Sequence, residues 1–199
     1  MNAKTWRVAR PHSPEGMREC HEKSMAIAAR TDISEEEKDL LLRDVMHWFP
    51  ATRFFDQMSF IGDAHVGCIV LETSEGLIQI DCMNDDSYSV SVIEDGYKQL
   101  GLDIHDLKAI LITHGHGDHY GNAGYFREQY GTKLYMSKVD YEFASAEDPM
   151  SRHAPLAVEM DGFLEEGKDF VLGDMSIQVY STPGHTPGGV SFIFPVTDE

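Results

Sequence analysis

Leu107-Lys108-Ala109-Ile110-Leu111-Ile112-Thr113 is a nearly unbroken apolar run, and it leads straight into His114-Gly115-His116-Gly117-Asp118-His119. The run is what a strand buried on both faces requires, and such strands belong to sheets covered by helices. The six residues that follow carry four side chains able to ligate a metal. His114 and His116, two apart at a strand end, are expected to emerge on the same side. Asp118 and His119 follow as the chain turns toward a helix, whose N-terminus favours a carboxylate.

Imidazole nitrogen and carboxylate oxygen are ligands that zinc accepts, and a catalytic zinc site keeps one position open for water. Four ligands on one turn do not wrap a single tetrahedral ion comfortably. The spacing therefore suits two neighbouring ions, with His114 and His116 facing one and Asp118 and His119 facing the other. The first ion needs a third protein ligand. His185 fits that role, in Ser181-Thr182-Pro183-Gly184-His185-Thr186-Pro187-Gly188, a turn between two strands fixed by its prolines and glycines. A lone histidine is usually only a polar surface residue, so it is the joint pattern that singles these five out. Iron or manganese suits the same ligand types as zinc.

Around this cluster the chain alternates strand-like and helical stretches. Residues 1–50 read as a helical extension. Gly16 to Arg30 is one helix; Ser34-Glu35-Glu36-Glu37 is a capping box that opens a second. Leu41, Leu42, Val45, Trp48 and Phe49 then recur at helical spacing, and Pro50 is expected to end that helix. From residue 51 to 199 the texture is that of one α/β domain. Phe54 to Ile61, His65 to Glu72 and Leu77 to Cys82 read as a three-stranded antiparallel meander. Helices are expected over Ser89 to Leu100, Asn122 to Tyr130 and Lys138 to Ala146, and strands over Lys133 to Met136, Phe170 to Leu172, Ser176 to Tyr180 and Gly189 to Phe194. Pro149 to Met160, which holds Arg152 and His153, reads as a loop.

Composition narrows the partners. A formal net charge of −18 repels phosphate backbones, which argues against nucleic acid. Three unevenly spaced cysteines, Cys20, Cys68 and Cys82, make no disulfide framework and fit a reducing compartment. No N-terminal apolar core reads as a signal peptide, and no run is long enough to span a bilayer. A cytoplasmic protein acting on a small molecule is the expectation, with the N-terminal helices a possible surface for homo-oligomers.

The His-x-His-x-Asp-His signature after an apolar strand, with the later Gly-His-Thr-Pro-Gly turn, resembles the metallo-β-lactamase superfamily from about Phe54 to Phe194. The resemblance implies an αββα sandwich with the site at the edge between two sheets. It also implies a zinc-dependent hydrolase, in which zinc acidifies its bound water and the hydroxide attacks a carbonyl of a β-lactam, thioester or lactone. Asp118 would orient that hydroxide and shuttle its proton. Asp81 matches an acid that supports the site from behind the ligands, and reads equally as a turn-capping residue. Two departures stand out. Where family members carry two glycines after the motif, this chain has Gly121 and Asn122, a change expected to alter local backbone rather than ligation. And the additional histidine and bridging aspartate that usually follow have no match before Glu199. Pro195-Val196-Thr197-Asp198-Glu199 reads as a hairpin turn cut midway, so the sandwich is expected to be incomplete at its C-terminal end. The alternative to an enzyme is a truncated, non-catalytic zinc-binding or assembly module.

Overall fold

The structure, a computed structural model, describes residues 14–146 and 154–198. Arg152 and His153 therefore lie outside the described residues. The chain divides into two compact units, the described residues up to Trp48 with Asp63–His65 in one, and Phe49–Gly62 with the described residues from Val66 onward in the other.

In the smaller unit, α1 (Pro14–Ala28) is followed by α2 (Glu35–Val45). The capping box forms as the sequence predicts. Ser34 Oγ accepts from the Glu37 amide at 3.1 Å, and Glu37 Oε2 accepts from the Ser34 amide at 3.0 Å. Such a cap contributes about 1 kcal/mol. The other end of α2 differs from expectation. The helix stops at Val45, Met46 caps it, and His47 takes a left-handed φ of 53°. That kink carries Trp48 off the helical face, and its ring lies 5.2 Å from the Arg43 guanidinium carbon. Phe49 and Pro50 do not end a helix; they begin a strand.

In the larger unit, β1 (Phe49–Phe55), β2 (Met58–Gly62), β3 (Gly67–Thr73) and β4 (Gly76–Ile80) form an antiparallel meander. Phe54 to Ile61 is thus not one strand. Asp56 and Gln57 turn the chain between β1 and β2, a turn with neither glycine nor proline to announce it. Pro50 is tolerated because β1 is an edge strand. After α3 (Ser87–Leu100), β5 (Leu107–Leu111) joins β4 in parallel. Then come α4 (Gly117–Tyr120), α5 (Ala123–Tyr130), β6 (Lys133–Met136), α6 (Lys138–Ser145) and the short β7 (Gly162–Phe163). The sheet runs β1-β2-β3-β4-β5-β6-β7. A second sheet pairs β8 (Phe170–Leu172), β9 (Met175–Ser181) and β10 (Val190–Ile193) antiparallel in the order β10-β9-β8.

Period-2 alternation tells each sheet which face to bury. Leu71, Ile78, Ile80, Ala109 and Leu111 of the large sheet pack with Met175, Ile177, Val179 and Val190 of the small one. The intervening β5 residue, Ile110, points the other way and is fully buried, as are Val92 and Ile93 of α3. So β5 is covered on both faces, as its composition demands. Gly101 and Gly131 end α3 and α5 in the left-handed conformation. Among the described residues, Pro195 to Asp198 form no strand turning back on β10. Thr197 returns to the β1–β2 turn, its carbonyl accepting from Asp56 N at 3.0 Å and its amide donating to Gln57 Oε1 at 3.0 Å. Among the described residues no helix is long and apolar enough to cross a membrane.

Gly121, just after α4, lies against the segment that follows β4. A Cβ there would meet Asp85 N at 2.2 Å and the Asn84 carbonyl carbon at 2.4 Å, both backbone atoms. Gly121→Ala is therefore expected to cost about 2 kcal/mol through overpacking, read as a lower urea midpoint at unchanged slope.

Candidate metal centre

The site is assembled where β4 and β5 end side by side. Beyond β4 the backbone turns sharply, with left-handed φ values of 62° at Asp81 and 60° at Met83. Such angles are uncommon for residues with side chains. Here several hydrogen bonds hold the turn in place. Asp81 N donates to Leu111 O, Cys82 N to His119 O, and Gly121 N to Met83 O. Gln79 Nε2 donates to Asp81 O at 2.8 Å, and is itself held because Tyr97 Oη donates to Gln79 Oε1 at 3.0 Å. Asn122 Nδ2 donates to Cys82 O at 3.0 Å from a buried position. The residue that departs from the family's second glycine thus ties the start of α5 to the turn carrying Asp81.

Asp81 lies under the histidine loop rather than capping its own turn. Its carboxylate accepts from Thr113 N at 2.7 Å, from Thr113 Oγ1 at 2.8 Å, and from His119 Nδ1 at 2.8 Å. A carboxylate only accepts, so the Thr113 hydroxyl donates to Asp81 and must itself accept from His114 Nδ1, 2.9 Å away. That chain of bonds assigns the His114 proton to Nδ1 and leaves Nε2 with a free lone pair. Nε2 of His114 is buried and has no hydrogen-bond partner.

The expected strand alternation is not what brings His114 and His116 together. β5 ends at Leu111, and both histidines sit in the loop before α4. The loop folds them inward nonetheless. His116 Nδ1 lies 3.0 Å from Nε2 of His185, and the His114 ring centre is 4.9 Å from that of His185. One ring nitrogen from each of His114, His116 and His185 falls within 4.8 Å of the other two. His119 stands against His114 with ring centres 3.9 Å apart, and its Nε2 is 3.7 Å from Asp118 Oδ2.

The electrostatics separate the histidines. Burial, with His119 close by, pulls the His114 pKa down to about 4, and burial followed by the charge of His185 lowers His116. Burial opposes the charged form of His119, but its bond to Asp81 and the nearby Asp118 outweigh it and raise the pKa. Neutral imidazoles are the form that ligates metal.

Asp140 is the residue that sequence analysis missed. It sits 1% exposed in the first turn of α6, where Ser137 Oγ accepts from its amide at 3.1 Å. Its carboxylate accepts from Gly115 N at 2.8 Å, from Thr186 Oγ1 at 2.5 Å and from Gly188 N at 2.7 Å. One buried carboxylate thereby fastens the loop of His114 and His116 to the loop of His185. Val190 N donates to Thr113 O at 2.9 Å and makes a second tie. A glycine is needed at position 188, since a Cβ there would lie 2.6 Å from Asp140 N and from Ser137 Oγ. In sequence, Ser137-Lys138-Val139-Asp140 reads only as a helix start.

The family model for the metallo-β-lactamase superfamily matches residues 61–198. The chain belongs to the metallo-β-lactamase superfamily. A probable polyketide biosynthesis zinc-dependent hydrolase, BaeB, from Bacillus velezensis is 33% identical over 109 residues, 55% of this chain and 43% of that protein. The hydroxyacylglutathione hydrolase GloC from Haemophilus influenzae is 29% identical over 124 residues, 55% of this chain and 57% of that protein. Among solved structures, BJP-1, a subclass B3 metallo-β-lactamase of Bradyrhizobium japonicum, superposes with a TM-score of 0.72 at 29% identity, covering 77% of this chain and 60% of that one. The chain spans about half the length of these curated relatives. The mixed sheet, the facing small sheet and the N-terminal helices agree with the fold class expected from the sequence.

Within this metallo-β-lactamase fold, Asp140→Asn is expected to lower unfolding free energy by about 3 kcal/mol, because three donors lose an ionised acceptor. Hydrogen exchange followed by mass spectrometry should show protection lost at Gly115 and Gly188 together.

Proposed function

We propose that this chain is a zinc-dependent hydrolase in which His114, His116 and His185 hold one ion, and Asp118 and His119 contribute to a second. The observation that carries this reading is the buried, unpartnered Nε2 of His114, aligned by Asp81 and Thr113 beside two further ring nitrogens. A buried polar atom without a partner costs about 1–3 kcal/mol, and a bound cation removes that cost. The 3.0 Å approach of His116 Nδ1 to His185 Nε2 suits two lone pairs aimed at one ion. Zinc is favoured by the imidazole and carboxylate donors and by the zinc-dependent description of the Bacillus velezensis relative. Iron and manganese fit the same donors less selectively.

Zinc bound there supplies a Lewis acid for a carbonyl oxygen and acidifies water to near neutral pH. The chain's own residues do the rest. Asp118, its side chain 41% exposed, would accept a proton from water and return it to the leaving group. Asp81 fixes His119 through Nδ1 and so directs Nε2 toward Asp118. Asp140 keeps the two ligand loops at a fixed separation. The substrate class is a small acyl compound with a scissile β-lactam, thioester or lactone bond, and the net charge of −18 disfavours a nucleic acid.

Metal counting by mass spectrometry after zinc loading and dialysis should give two ions for the native chain. His185→Ala should lose the first of them. Turnover assays with nitrocefin, a thioester and a lactone should show hydrolysis of at least one, abolished by chelator and restored by zinc. Asp118→Asn should reduce kcat by about 10²–10⁴-fold with the melting temperature unchanged. Zinc uptake without turnover of any of the three would leave a metal-binding module and sink the catalytic reading.

A further inference from the structure

The smaller unit carries a second cluster of metal-competent side chains, none of them among the histidines of the centre above. Cys20 of α1 places its Sγ 3.3 Å from Val45 O, 3.7 Å from Met46 Sδ and 3.4 Å from His65 Nε2. A thiol has one proton. The carbonyl and the thioether only accept, so that proton is contested by two acceptors even when His65 donates to the sulfur. The arrangement offers more electron pairs than one S–H satisfies.

The three side chains are held in place by the backbone around them. Met46 caps α2, and its carbonyl accepts from Ala64 N at 3.3 Å. Asp63, buried, accepts from His65 N at 2.8 Å through Oδ1 and so fixes the turn that presents the imidazole. His65 is exposed and Cys20 half-buried, which gives a solute access to the cluster. Burial raises the Cys20 pKa, with Asp63 adding to the effect and Lys23 opposing it. A cation that displaces the proton is what the surroundings accommodate.

We propose that Cys20, Met46 and His65 bind one soft monovalent cation, Cu(I), through thiolate, thioether and imidazole. Thiolate and thioether ligands select Cu(I), whereas zinc has little use for a thioether. On binding, the Cys20 proton leaves to solvent as the S–Cu bond forms, with no change in oxidation state.

The test is an anaerobic titration of the zinc-loaded chain with the Cu(I) complex of bicinchoninate, whose absorbance falls as the protein takes copper. Zinc loading keeps the histidine centre occupied. One Cu(I) per chain is expected, lost in Cys20→Ser and bound at least tenfold more weakly in Met46→Leu. Because Met46→Leu conserves side-chain volume, it carries the test if Cys20→Ser does not fold. Copper should also protect Cys20 from iodoacetamide, read peptide by peptide by mass spectrometry; Cys68 and Cys82 are buried and serve as unreactive references. Equal copper uptake by the native chain and Met46→Leu, or alkylation of Cys20 unaffected by copper, would overturn the proposal. Equal competition by zinc for Cys20 would overturn the assignment to a soft cation.

Discussion

The carboxylate of Asp140 is the interaction on which the geometry of the histidine cluster depends. It is buried among donors from two loops that come from distant parts of the chain, one following β5 and the other preceding β10. Ionised acceptors make hydrogen bonds roughly twice as strong as neutral ones, and with all donors satisfied the burial cost of the charge is offset locally. Without that charge, the bond from Val190 N to Thr113 O still ties the loops through the backbone. His116 Nδ1 and His185 Nε2 also meet across the two loops, 3.0 Å apart.

Around this clamp the fold works as a frame. The meander β1–β4 is built from local hairpins, and the parallel strands β5 and β6 then extend it. The ends of β4 and β5 therefore lie together, and the polar residues that follow them meet. Asp81 reaches under Thr113 and His119 from β4's end, while Gln79 and Tyr97 secure the strained turn from below. The apolar core between the two sheets sets the position of β10, and with it the loop of His185.

Much of this was legible in the sequence. The apolar run of β5, the capping box at Ser34, the glycine stops at Gly101 and Gly131 and the two histidine-bearing turns all act through local rules of period, capping and turn chemistry. What escaped the sequence is non-local or lacks a punctuating residue. The Asp56-Gln57 turn has no glycine or proline, so β1 and β2 read as one strand. Trp48 kept the helical period of α2, yet the left-handed His47 takes it off the helix. Asp140 has the appearance of an ordinary first-turn acid, and its partners lie 25 to 48 residues away. His21 follows Cys20 directly in sequence, but the companions Met46 and His65 come from other segments.

The tie between the two histidine loops also joins parts of the chain that lie far apart in sequence. His114 and His116 lie two residues apart, whereas His185 comes 69 residues after His116. Contacts of long sequence separation form at the cost of closing long loops. A chain in which that closure is open would offer two histidines together, and the closed fold brings together all three. Tight metal retention would then act as a certificate of completed folding, and a cation captured at that stage would favour the native over the partly folded form.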